Sequence, residues 1–301
     1  MVFARIMILK SFRHFTLIVS GMGMLGLSAQ EAKINNFSDA ILMQSPLVTR
    51  GYEILELGDS AGALDHFQEA LADNSEDLSA LLGQAMILAD LGRHAEAYSS
   101  YDKIVANYPS HAFAWNGRGL AAFNMEDFDT ALSSFKKATA EQPVNGFFYE
   151  SLAWVQMCRG KFPEAAVAAK IATLMYNKKG ESSVYPLLIA HFAYHEADDL
   201  RNAQASLNYA LRNKPINVWP SPVIDYLAGS IVASELIGYV QNSMQETEAH
   251  TYIGLKLRIE GDDDAAKKHL EWVARNGDSN VFEYTLARAL HLQDSLALLI
   301  P

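Results

Sequence analysis

The chain has a single cysteine, Cys158. No disulfide can therefore close within it, and no cysteine-based metal cluster can form. It has no P-loop, so that sequence mark of nucleotide binding is missing. Basic residues are few: 24 Lys and Arg stand against 35 Asp and Glu. With no basic cluster in the body of the chain, nucleic acid and anionic membrane surfaces are excluded as expected partners. Apolar runs stay short of the ~20 residues that a membrane helix needs.

The longest apolar run, FTLIVSGMGMLGL, spans Phe15 to Leu27. It follows an acid-free start carrying Arg5, Lys10 and Arg13, and leads into Ser28-Ala29. A basic lead, a short apolar stretch and small residues before a cut describe a secretory signal peptide. Residues 1–29 are expected to be removed on export, which makes the remainder more acidic. The mature chain would begin near Gln30, hold no stable membrane span, and be periplasmic or secreted. An uncleaved anchor is the alternative.

What the sequence has in abundance is a period. Ala63, Ala97, Ala131 and Ala165 follow one another every 34 residues. Gly51, Ala85, Gly119 and Ala153 keep the same step, as do Phe67, Tyr101, Phe135 and Ala169. Gly58, Gly92 and Gly160 fall between the two helices of their repeats, and Pro109 and Pro143 follow second helices. Small residues let two helices cross closely, and the aromatic one turn further on fills the space towards the next pair. This pattern resembles the tetratricopeptide repeat (TPR) family. The resemblance implies an all-α, right-handed α-solenoid of helix-turn-helix repeats, a form used for binding far more often than for catalysis.

The expected organisation is a signal peptide over 1–29, a linker or helix over 30–43, and five repeats over 44–216. Irregular short helices follow over 217–246, opened by Trp219-Pro220-Ser221-Pro222, and a last repeat-like pair with a C-terminal capping helix spans 247–301. In the fifth pair His191 stands where a small residue belongs, so either the register slips to Ala190 or that pair packs less tightly. The stretches WPSPVIDYLAGSI, TEAHTYIGLKLRIEGDDDAAKKHLEWV and NVFEYTLARAL resemble the tail of bacterial new-lipoprotein-I-type envelope adaptors. That family implies a role in bringing envelope proteins together. The chain departs from it in lacking a lipobox cysteine after the signal, so lipid anchoring is not expected.

The concave face of such repeats comes from one stripe of each first helix. Here the stripe holds Tyr52, Leu55, Leu82, Met86, Phe113, Asn116, Leu120, Phe123, Phe147, Glu150, Trp154 and Met157. It is aromatic and aliphatic, and lacks the Lys/Arg/Asn set with which some TPR domains clamp a peptide carboxylate. The candidate peptide-binding residues are Tyr52, Met86, Phe113, Asn116, Leu120, Phe123, Phe147, Glu150 and Trp154. Their expected partner is a hydrophobic or amphipathic protein or peptide segment. Neighbouring helices or residues 30–43 filling part of the groove is the competing reading. Phe123, Phe147 and Trp154 are expected to serve binding and not fold stability.

No catalytic set or cofactor is expected. His191 and His195 stand one helical turn apart, but HFAYHE is not a metalloprotease motif and lacks a third ligand. Gly261-Asp-Asp-Asp264 lacks the spacing of a calcium loop and reads as a turn with acids at a helix start. The alternatives to an adaptor are a self-assembling homo-oligomeric scaffold and, further off, a metal-dependent enzyme using His191 and His195.

Overall fold

The computed structural model describes residues 45–216 and 218–297, so the expected signal peptide and the 30–43 segment lie outside the described residues. The described residues hold 15 helices and no strand. None of these helices is long and apolar enough to cross a membrane. The helices fall into two compact units, divided between Asp90 and Leu91.

The first unit contains α1 (Pro46–Glu56), α2 (Ser60–Asp73) and α3 (Leu78–Asp90). Ser45 caps α1 by accepting from the Leu47 amide, with Pro46 at the first helical position. Asp59 caps α2 by accepting from the Gly62 amide. Phe67 of α2 is fully buried between two first helices. A methyl group at Gly51 would stand 2.7 Å from its ring, and one at Gly83 would stand 2.5 Å away. Both positions must be glycine for the aromatic to fit.

The second unit repeats this arrangement. It contains α4 (His94–Asn107), α5 (Ala112–Asn124), α6 (Phe128–Glu141), α7 (Gly146–Cys158), α8 (Phe162–Lys178), α9 (Val184–Glu196) and α10 (Leu200–Asn213). Ala97, Ala131 and Ala165 are wholly buried. Tyr101 packs on Gly117, where a methyl group would approach its ring to 2.3 Å, and Phe135 packs on Gly119 at 2.5 Å. A second small position, Gly83, Gly117 and buried Ser151, therefore recurs with the same period, and at Gly83 and Gly117 it receives the aromatic of the preceding repeat. Overpacking at such a contact costs about 1–3 kcal/mol. At the fifth pair, His191 occupies the crossing and places Nδ1 3.0 Å from the Ala203 carbonyl of α10.

Two short helices follow, α11 (Ser221–Leu227) and α12 (Ala233–Gly238), then α13 (Ser243–Glu260), α14 (Asp263–Asn276) and α15 (Phe282–Ala297). α13 and α14 restore the repeat packing, with Gly254 against Leu270. Gly261 at φ 82° ends α13, and Asp262 caps α14 by accepting from Ala265. The acidic run is thus a turn and a cap. α15 packs on α13 and α14 as the last helix, and it also reaches back to α7.

Candidate functional site

The repeats build the inner stripe of the second unit, and α15 lies on it. The Phe282 ring stacks nearly parallel on Trp154 of α7, with centroids 5.6 Å apart and planes 5° apart. It meets Phe123 of α5 edge-on at 5.4 Å and Phe147 of α7 at 6.5 Å. Along the same helix Leu286, Ala287 and Leu290 are buried. Phe282, Leu286 and Leu290 recur every four residues, the spacing by which an amphipathic helix fills a groove.

A polar clasp closes the other side. Arg288 Nε donates to the Glu126 carboxylate in the turn between α5 and α6, and Arg288 also reaches the Tyr284 hydroxyl at 3.3 Å. Glu126 sits at φ 62°. The equivalent turn residues in the second and fourth repeats are Gly92 at 73° and Gly160 at 66°. A side chain rarely adopts this left-handed conformation; Asp198 does so as well, at φ 58° in the turn before α10, and at Glu126 the side chain is engaged by Arg288.

Under the aromatic rings lies a cluster of three carboxylates. Glu150 of α7 accepts from the Tyr176 hydroxyl at 2.7 Å. Glu248 of α13 accepts from Tyr185 at 3.0 Å and from the Trp219 indole at 2.7 Å. Glu283 of α15 accepts from Tyr252 at 2.8 Å. Among the described residues no lysine or arginine forms an ion pair with any of the three. Burial pushes the Glu150 carboxyl up to about 7, with the Tyr176 hydrogen bond pulling the other way and the Glu283 charge adding to the rise. Burial also raises Glu248, reinforced by the Glu283 charge, and raises Glu283 against the Tyr252 hydrogen bond.

The structure places the expected groove residues in three ways. Tyr52 and Met86 lie in the first unit, where Tyr52 donates to the Ser79 carbonyl at 2.8 Å and Met86 is half-buried. Phe113 is 40% exposed and rests edge-on against Phe148. Leu120, Phe123, Phe147, Glu150 and Trp154 lie on or around the seat of α15 in the second unit, with Asn116 buried nearby on α5. Phe123 and Trp154 are 0% and 2% exposed. The expectation that they stand apart from fold stability is thereby corrected: α15 covers them and makes them part of the packed interior. Among the described residues the buried Asn116 Oδ1 and Trp154 Nε1 atoms find no hydrogen-bond partner. The rings of His191 and His195 lie 6.4 Å apart, and His191 Nδ1 is turned to the Ala203 carbonyl of α10. Among the described residues no group of three or more His, Cys, Asp or Glu is arranged to hold a metal ion.

Glu248, Glu283 and Arg288 were missed by sequence reasoning. Their signal was present in one place only: the third repeat alone among the first four breaks the turn glycine, with Glu126.

Residues 48–112 and 116–172 match the family model described as Tetratricopeptide repeat. Comparison with curated proteins gives no match. Among solved structures, the chain is similar to MamA protein, at 21% identity and TM-score 0.51 over 56% of this chain and 90% of that one. It is similar to MamA from residue 41 to its end, from Desulfovibrio magneticus RS-1, at 17% identity and TM-score 0.51 over 56% and 96%. It is also similar to a tetratricopeptide repeat protein from Parabacteroides merdae ATCC 43184, at 12% identity and TM-score 0.58 over 81% and 96%. At these identities the likeness concerns the fold. The 34-residue period, the small-to-aromatic packing and the family match agree that residues 48–112 and 116–172 are similar to tetratricopeptide repeats.

Proposed function

We propose that the chain is an interaction scaffold whose inner aromatic face takes an amphipathic helix, and that α15 is the resident occupant of that face. The carrying observation is Phe282 stacked on Trp154 and bordered by Phe123 and Phe147. It defines the chemistry of a fitting partner: an aromatic residue, aliphatic residues four and eight positions later, and an arginine directed at Glu126. The acid-free, apolar start and the resemblance of the C-terminal stretches to envelope adaptors support a setting outside the cytoplasm.

The test uses the full chain carrying Phe282→Ala and a fluorescent peptide of residues 279–297. The peptide is expected to bind this variant saturably, and wild type more weakly because α15 competes. Adding Phe147→Ala should weaken capture about tenfold, the effect of losing ~1.4 kcal/mol of an interface aromatic. No capture by Phe282→Ala, or capture indifferent to Phe147→Ala, would contradict the reading.

A further inference from the structure

We propose that α15 is a proton-linked latch: it seats while the carboxylate cluster that it completes carries protons, and loosens when that cluster is ionised. The inference rests on α15 being a displaceable occupant of the inner face.

The geometry carries it. Glu283 stands on α15 itself and is 3% exposed. Facing it or its neighbours are Glu150 and Tyr176 from α7 and α8, Tyr185 from α9, Trp219 from the segment before α11, and Glu248 and Tyr252 from α13. The hydrogen bonds that these carboxylates accept come from phenols, an indole and, at Glu283, a backbone amide, all neutral donors. Arg288, one turn and a half further along α15, is engaged with Glu126 and Tyr284. The start of α15 favours a negative charge at Glu283, but burial outweighs it. Glu248 and Glu283 are buried and Glu150 partly so, and three ionised groups clustered on neutral donors repel one another where no counter-charge is paired with them. Undocking α15 carries Glu283 into water and opens Glu150 and Glu248 to it.

The direction of the pH effect follows. Each carboxyl is raised in the docked state above the ordinary value of 4.5. The docked state then binds more protons than the open one, so its stability falls as pH rises. The contribution is complete below about 4.5 and is lost as pH rises through about 7 to about 8, the values reached by Glu150 and Glu248.

Hydrogen exchange on the full chain at pH 5 and pH 8 tests this, with each rate corrected for the intrinsic rate at that pH. Protection of residues 282–292 is expected to fall by about tenfold or more from pH 5 to pH 8, one pKa unit of one group being worth a factor of ten. Protection in α6 should hold. Glu283→Gln and, separately, Glu248→Gln should flatten the dependence, because glutamine stands in for the protonated acid. Glu126→Gly restores the residue preferred in that turn and removes only the Arg288 contact; it should lower α15 protection at both pH values and leave the slope. Equal protection at pH 5 and pH 8, or an undiminished slope in both glutamine variants, overturns the latch. Should Glu283→Gln fail to fold, Glu248→Gln decides, since it lies off the latch helix. No peptide is present, so failure here leaves the peptide-capture result standing, and failure of capture leaves this slope measurable.

Discussion

Trp154→Ala is expected to be among the most damaging substitutions in the second unit, lowering stability by about 3–5 kcal/mol, the range for emptying a buried tryptophan site. Trp154 is 2% exposed and supports Phe282 across a parallel stack. Its removal leaves a cavity between α7 and α15 that rigid helix pairs cannot collapse to fill. Trp154→Phe keeps a ring against Phe282 and removes a buried N–H that finds no partner among the described residues, so it should cost much less, under about 1.5 kcal/mol. Chemical denaturation of the three proteins decides this. An Ala variant as stable as wild type would mean that the ring is not part of the packed interior.

Phe282→Ala is expected to act differently. Phe282 is only half-buried, so the loss should stay near or below about 3 kcal/mol. It should fall on α15 and spare the helices beneath. The Gly117–Tyr101 and Gly119–Phe135 contacts do not involve α15, so the repeats keep their own packing. Circular dichroism should show a loss confined to about one helix, while the main unfolding transition stays cooperative. Combining Phe282→Ala with Trp154→Ala should show a coupling of about 0.5–1.5 kcal/mol for the stacked pair. Loss of helicity across the whole second unit would instead make α15 an inseparable part of the fold.

The sequence made the repeats legible because their packing is local and periodic. Ala97, Ala131 and Phe135 meet partners on adjacent helices, so a spacing of 34 residues reports the contact directly. The second small position, Gly83, Gly117 and Ser151, keeps the same period and could have been read from it. The aromatic stripe was also legible, through Phe123, Phe147 and Trp154. What covers that stripe was not. Arg288 reaches Glu126 across 162 positions of sequence, and the period lapses over 217–246, so spacing says nothing about where α15 returns. Glu283 and Glu248 carry no mark in the spacing, because the tyrosines that donate to them stand on other helices. His191 was ambiguous for a related reason: a histidine can take a small residue's place at a crossing if its ring nitrogen finds a backbone carbonyl, here that of Ala203.

The central claim is that α15 is a separable occupant of an aromatic face built by the repeats. Native-state hydrogen exchange of the wild-type chain in low denaturant tests it most directly. The account predicts that residues 282–292 exchange through an opening of lower free energy than α6, α7 and α8, which open only with global unfolding. Exchange of α15 at the same free energy and with the same denaturant dependence as α6 to α8 would contradict it.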